Sequence, residues 1–221
     1  MKKIYFGIES YCNYGKVYLH KIFFGWEPLK LKTKRIVSRN INRSKNEYII
    51  FLNAGDVFFS IDTLKELALS IKKNPKYNSY SGGTLQINPH QKKITRKIGI
   101  GKIYEILPFS QLPHPSFVTR KSILTKLDNP FDSNLKIAAD YKQQLILRKK
   151  NLWKNYYSNQ IISIMPIGGI SNIDKKSVYF GYKETLISSY EIYNFISLYF
   201  IIIKLVLNLY SRLAIRIGIK T

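Results

Sequence analysis

The sequence predicts an α/β fold, a sheet with flanking helices, on three observations. Apolar runs of strand length alternate with segments of helical periodicity, the pattern of a layered α/β domain. One such run, residues 48–52 (YIIFL), is apolar throughout, as a strand buried on both faces requires, and it stops at Asn53, Ala54, Gly55 and Asp56. The chain has 221 residues, 45% of them hydrophobic, enough to bury a sizeable core.

Taken in order, KKIYFGI at residues 2–8 reads as a strand, and the basic aromatic stretch after it has no clean period. SIDTLKELALSIKKN at 60–74 reads as a helix: Ser60 or Asp62 can cap it, Leu64, Leu67, Ala68 and Ile71 share a face, and Pro75 follows its end. YSGGTLQI at 80–87 is a strand with a glycine pair, and KIYEILPF and SFVTR are short strands on either side of Pro113 and Pro115. KSILTKL supplies one or two helical turns, AADYKQQLILRKKN at 138–151 a second firm helix, and QIISIMPIGG at 160–169 a strand ending in glycines.

Charge and composition narrow the setting. Lys and Arg number 36 against 13 Asp and Glu, a formal charge of +23. That balance fits nucleic acid, an acidic membrane leaflet or phosphorylated ligands, or else a Lys- and Ile-rich coding bias. A single cysteine, Cys12, excludes an internal disulfide and fits a reducing compartment. The first residues lack the apolar core and small-residue cleavage site of a signal peptide. From residue 187 onward the chain is nearly continuous apolar and aromatic sequence, punctuated by Lys204, Arg212, Arg216 and Lys220. Its charge-free run, 192–203, is shorter than the roughly 20 residues of a spanning helix. A helix lying in a membrane interface fits, as does a packing helix for the domain or a dimer.

The turn after residue 52 carries the chemistry. A carboxylate at the carboxyl edge of an α/β sheet lies where such sheets bind ligands. Small Ala54 and Gly55 let a phosphate or sugar approach the backbone, and Asp56 suits a hard divalent cation that neutralises a diphosphate; alternatively, Asp56 caps a helix.

SRNINRSKNEYIIFLNAGDVFF, HPSFVTRKSI (114–123), FDSNLKIAADYKQQL (131–145) and IGGIS (167–171) occur in one order, and together they resemble the motifs of family 2 glycosyltransferases. The FLNAGD form is similar to members that build bacterial exopolysaccharide and lipooligosaccharide. The resemblance implies a GT-A-like, Rossmann-like sheet, a nucleotide-sugar donor, a divalent metal (Mn2+ or Mg2+) and inversion at the anomeric carbon. Carried over position by position, it makes Asp56 the metal or diphosphate ligand and puts Asn53 at the first acidic position of an Asp-x-Asp pair. Ala54 and Gly55 then line the donor, as do Arg39 and Asn40, His114 lies on the acceptor side, and Asp140 is the catalytic base or a plain helix cap.

The resemblance also implies a longer strand–helix–strand–helix–strand section before the Arg-Asn segment, with an Asp on the nucleotide base. Here about thirty-five residues precede that segment, and no Asp occurs before Asp56. The sequence therefore predicts an incomplete N-terminal nucleotide-binding half. Three parts follow: an atypical segment 1–34, a glycosyltransferase-like core 35–174 and a basic, amphipathic helical tail 175–221. The expected function is sugar transfer from a nucleotide-sugar donor to a lipid-linked saccharide acceptor, peripheral to the inner face of the bacterial cytoplasmic membrane. The anionic membrane surface is itself an expected partner, and a homo-oligomer or assembly-complex partner stays open. An inactive scaffold is the alternative. A nucleic-acid binder driven by charge is weaker, because no helix-turn-helix, zinc or RNA-recognition motif is visible, and nucleic acid is not expected as a partner.

Overall fold

The structure is a computed structural model that describes residues 6–13, 16–22, 41, 44–53, 55–88, 90–91, 93–107, 109–167, 175–194 and 197–216. Its strands are β1 (Phe6–Asn13), β2 (Lys16–Ile22), β3 (Tyr48–Leu52), β4 (Val57–Phe58), β5 (Ser79–Asn88), β6 (Lys93–Ile98), β7 (Phe117–Arg120) and β8 (Asn155–Pro166). The helices are α1 (Thr63–Lys73), α2 (Ile103–Ile106), α3 (Lys121–Leu124), α4 (Ala139–Lys149), α5 (Lys175–Tyr193) and α6 (Ser197–Arg216), with a 3-10 turn at His114–Ser116. The predicted class holds: a mixed sheet flanked by helices.

The sheet runs β2-β1-β3-β7-β5-β8-β4, with β6 paired to β5. β7 lies antiparallel between β3 and β5, and β5 pairs parallel with β8, so β3, β5 and β8 point the same way. The outer edge of β3 is closed by an antiparallel hairpin, with Phe6 opposite Leu52 and Gly7 opposite Phe51. β4 pairs with β8, Val57 opposite Ile164. Residues 53–56 must therefore carry the chain from β3 to the far side of β8.

Alternation along the strands separates two faces. Ile50, Tyr80, Val118 and Ile162 form one, covered by Leu67 and Ile71 of α1. Ile49 and Phe51 point to the other, against Leu124 and Phe131. Farther along that second layer, Phe117, Leu112 and Tyr104 meet Leu147 of α4 and Ile203 and Leu207 of α6. Phe200 of α6 is fully buried against Ala138, Tyr141 and Leu145. Burying a side chain of this kind contributes about 2 kcal/mol, so α6 is a structural layer of the core.

Several local readings change. KIYEILPF holds the short helix α2 in place of a strand. Its Tyr104 is buried in the core while Glu105 and Ile106 face outward, an i-to-i+1 contrast that one turn of helix permits. Neither expected cap acts on α1: the Thr63 hydroxyl accepts from the Ser60 N–H at 2.9 Å, and Asp62 makes no capping bond. β8 begins at Asn155, five residues before the expected strand, because its first residues pair with Ser79–Ser81 of β5. The glycine pair of β5 is a packing device. A Cβ on Gly83 would strike Ile100 and Ile161, and the register against β8 shifts on both sides of Gly83.

Two buried polar contacts fix the layers. The hydroxyls of Thr84, Ser116 and Ser163 lie 2.7–2.9 Å apart, linking β5, the 3-10 turn and β8, and Ser116 also donates to the Gly83 carbonyl. The Gln144 amide pairs with both backbone groups of Leu112, accepting at 3.0 Å and donating at 2.9 Å, which ties α4 to the segment ahead of His114.

Glu184 of α5 closes the approach to α4. Its carboxylate accepts the successive N–H groups of Lys136, Ile137 and Ala138 at 2.7–2.9 Å. Glu184→Ala strands three donors, one of them on a buried residue. It should lower stability by about 2 kcal/mol and Tm by several degrees, whereas Glu184→Gln should cost less because one acceptor remains. Thermal melts of the two variants that coincide with wild type would refute this role.

Candidate functional site

β3 delivers the chain to the carboxyl edge of the sheet, and the turn there closes on itself. The Asp56 carboxylate accepts from the Asn53 backbone N–H and from the Asn53 side-chain amide, both at 3.0 Å, while the Asp56 N–H donates to the Asn53 carbonyl at 3.0 Å. Gly55 between them adopts φ +93°, and its Cα side lies against the Pro166 ring at the end of β8. A left-handed residue and a close approach to proline together call for glycine. Asp56 is only 7% exposed, so one of its oxygens is engaged in holding the turn and is not simply offered to a ligand. It does not cap α1, the alternative left by the sequence.

Asn53, Gly55 and Asp56 are thus brought into one turn. His114 stands at the same edge, because the 3-10 turn precedes antiparallel β7. Its ring stacks on Phe51 at 5.0 Å and meets Phe131 edge-on at 5.5 Å, so aromatic packing fixes its position. Asp140 is on a separate element, the second residue of α4, where its Oδ1 accepts the Tyr141 N–H at 2.8 Å. It connects to the His114 edge through Gln144 and Leu112. Arg39, Asn40, Ala54 and residues 168–171 of the glycine motif lie outside the described residues.

The donor set bears on a metal. Among the described residues, no group of three or more His, Cys, Asp and Glu side chains is placed to hold an ion. The described residues by themselves do not build a self-sufficient metal centre. One carboxylate at a sheet edge does match how Mg2+ binds when it arrives with substrate phosphates and keeps its waters.

Residues that sequence reasoning missed surround α4. Lys204 of α6 donates to the Thr185 hydroxyl at 2.5 Å and lies over the rings of Tyr141 and Tyr182. Burial lowers its ammonium pKa to about 8, with Asp140 and then Glu184 drawing it back up. Lys142 pairs with Asp132 and Glu191, bracing α4 against α5. The available signal was the placement of Lys204 inside an apolar run, which marks a cation with a partner.

No protein-family model matches the sequence, and no curated protein does. Among solved structures the chain is similar to residues 1–349 of S. aureus TarS, at 12% identity and a TM-score of 0.47 over 72% of this chain and 45% of that one. The same protein in complex with UDP gives 12% identity and 0.44, covering 73% of this chain and 54% of that one. The complex with UDP-GlcNAc gives 14% and 0.45, covering 74% and 54%. The chain spans about half the length of the solved structures it matches.

Lys204 sets a pH dependence. Between pH 8 and about 10 the unfolded lysine, with its ordinary pKa of 10.5, still holds the proton that the folded one releases. The unfolded state then binds more protons, so stability should rise with pH across this window, by on the order of 2 kcal/mol. Burial raises the pKa of Tyr104 to about 12 and that of Tyr48 and Tyr141 further, which opposes the rise above about pH 10. Lys204→Met should raise Tm at pH 7 and flatten the 8–10 segment. A Met variant with the wild-type slope in urea titrations would show that another group titrates there.

Proposed function

We propose that this chain is the core of a GT-A-like inverting glycosyltransferase. It moves a sugar from a nucleotide-sugar donor to a hydroxyl of a lipid-linked, lipooligosaccharide or exopolysaccharide acceptor. The observation that carries the reading is the FLNAGD turn: a buried strand ends at the carboxyl edge, and Asp56 is held there by Asn53 beside a left-handed Gly55. The divisions 1–34, 35–174 and 175–221 belong to the same reading.

In this reading Asn53, Ala54 and Gly55 border the diphosphate, with Arg39 and Asn40 on the donor side, and Asp56 belongs to the same edge. A divalent ion bound with the donor would supply positive charge against the departing diphosphate. Asp140, at the start of α4, takes the proton from the acceptor hydroxyl as that oxygen bonds to the anomeric carbon. The bond from that carbon to the diphosphate breaks, and its electron pair leaves on the phosphate oxygen. His114, fixed between Phe51 and Phe131, borders the acceptor.

One observation favours a second reading, a scaffold without turnover. An antiparallel hairpin closes the β3 edge where the sequence resemblance implies a nucleotide-binding unit. The two readings part in one experiment. The purified chain is titrated calorimetrically with nucleoside-diphosphate sugars, including UDP-GlcNAc, with Mg2+ or Mn2+. Asp56→Asn keeps an acceptor for Asn53, so its fold should survive while donor affinity falls at least tenfold. Asp140→Asn should keep donor affinity and lose 100-fold or more in transfer rate. Wild-type binding without transfer would support the scaffold, and equal donor affinity in Asp56→Asn would sink the assignment of Asp56.

We further propose peripheral attachment to the inner face of the cytoplasmic membrane. α6 is long and apolar enough to cross a bilayer, with mean hydropathy 1.7 over Ser197–Ile215. Phe200, Ile203 and Leu207 are nevertheless committed to the core, while Leu198, Ile202, Leu205 and Leu209 are more than half exposed on the opposite side. That arrangement favours a helix lying on lipid over one spanning it. Deleting α6 would also empty the core, so point substitutions are the fair test. Leu205→Glu with Leu209→Glu should abolish co-sedimentation with anionic vesicles at unchanged Tm. Unaltered sedimentation of the double variant would contradict the assignment.

A further inference from the structure

A cleft of about 490 Å³ opens on the β6 side of the sheet and is lined by Gln86, Thr95, Arg96, Ile167, Lys175, Val178 and Arg212. Three of these seven are cationic, and no acidic residue is among the described lining. Four elements bring the polar and cationic ones together, with Ile167 just past the end of β8. Gln86 and Arg96 are register partners across β5 and β6, Lys175 and Val178 come from the first turn of α5, and Arg212 comes from the last turns of α6.

Arg96 is built in. Its Nε donates to Ser211 at 3.0 Å and its Nη2 to Asn208 at 2.6 Å, and Asn208 donates in turn to the Tyr182 hydroxyl at 2.6 Å. These bonds go to neutral groups and aim the guanidinium, a fork with five donors, and none of them cancels its charge. Burial and the charge of Arg212 both lower its pKa from the ordinary arginine range. Gathering like charges in a half-buried cleft is unfavourable unless an anion joins them. Arginine forks are the side chains best matched to phosphate oxygens.

The surroundings indicate what carries the phosphate. Arg212 follows Leu209 by three positions and Leu205 by seven, so the exposed apolar stripe of α6 runs up to the mouth of the cleft, with exposed Val178 and Tyr179 of α5 across from it. A charged hole at the end of an apolar ridge fits an amphiphile with an anionic head.

We propose that this cleft is a phosphate or diphosphate subsite whose ligand is the head of a lipid lying along α6. The acceptor of the transfer reaction is then anchored by its lipid phosphate. The acceptor identity rests on the transferase reading; the anion site does not.

The test uses Arg212→Gln combined with Lys175→Gln, since neither side chain has a hydrogen bond among the described residues and the fold should be undisturbed. Arg96 is left intact because it ties β6 to α6. Inorganic pyrophosphate should bind the wild-type chain without nucleotide or metal, with affinity at least tenfold weaker in the double variant at equal Tm. Vesicles of phosphatidylcholine containing phosphatidate should be bound more tightly than vesicles of matched surface charge containing phosphatidylserine, and the double variant should lose that preference. Pyrophosphate binding without the vesicle preference would overturn the lipid source and support a soluble phosphate ligand in the same subsite. No pyrophosphate binding, or equal binding by wild type and variant, would overturn the subsite. Loss of nucleotide-sugar binding with the pyrophosphate result intact would count against the transferase reading alone.

Discussion

The carboxyl edge of this sheet depends on a single closed loop of hydrogen bonds between Asn53 and Asp56. The chain must leave β3 and reappear beyond β8 within residues 53–56, a path short enough that every backbone angle matters. The carboxylate is the clasp: it gathers the Asn53 backbone and side-chain amides and so fixes where the chain crosses. Below the crossing, the fully buried hydroxyls of Thr84, Ser116 and Ser163 satisfy one another, which keeps the 3-10 turn and His114 at a set height.

The second face of the sheet obeys a different constraint. α5 presents Gly181, Thr185, Ser188 and Ser189 as a stripe of small buried residues, so α6 approaches closely and brings Lys204 beside Asp140 and Glu184. Glu184 spends its charge on three backbone donors, and Lys204 sits in a shell of a hydroxyl and two rings. The charges around α4 therefore come from α5 and α6 as well as from α4 itself.

The elements legible in the sequence are those with one dominant signal. β3 has unbroken apolar residues, α4 has a clear period and a basic last turn, and the small-residue turn stands out between apolar runs. The helix in KIYEILPF was not legible, because a four-residue apolar segment carries the same local signature as a strand and its neighbours in space decide. β6, KITRKI, was missed because lysines and arginine dilute its alternation. The Asn88–Pro89 pair ahead of it was the available turn signal, and Asn88 does accept the N–H groups of His90 and Gln91. In the candidate site, Asp56 and Asn53 were readable as a unit. That the carboxylate would turn inward was not, since only the crossing to β8 demands it. Arg96 and Lys204 act through partners over a hundred and about twenty residues away, a separation no local pattern records.

The burial of Phe200, Ile203 and Leu207 has a consequence for how the protein comes into being. Phe117, Leu112 and Tyr104 are made early, yet the side chains that cover them are translated roughly ninety residues later. Until α6 leaves the ribosome, the part of that face which it covers stays open to solvent, an apolar target for premature association. Maturation therefore waits on the C-terminal helix. A nascent chain with this delay has reason to meet either a chaperone or a lipid surface before it meets its own tail.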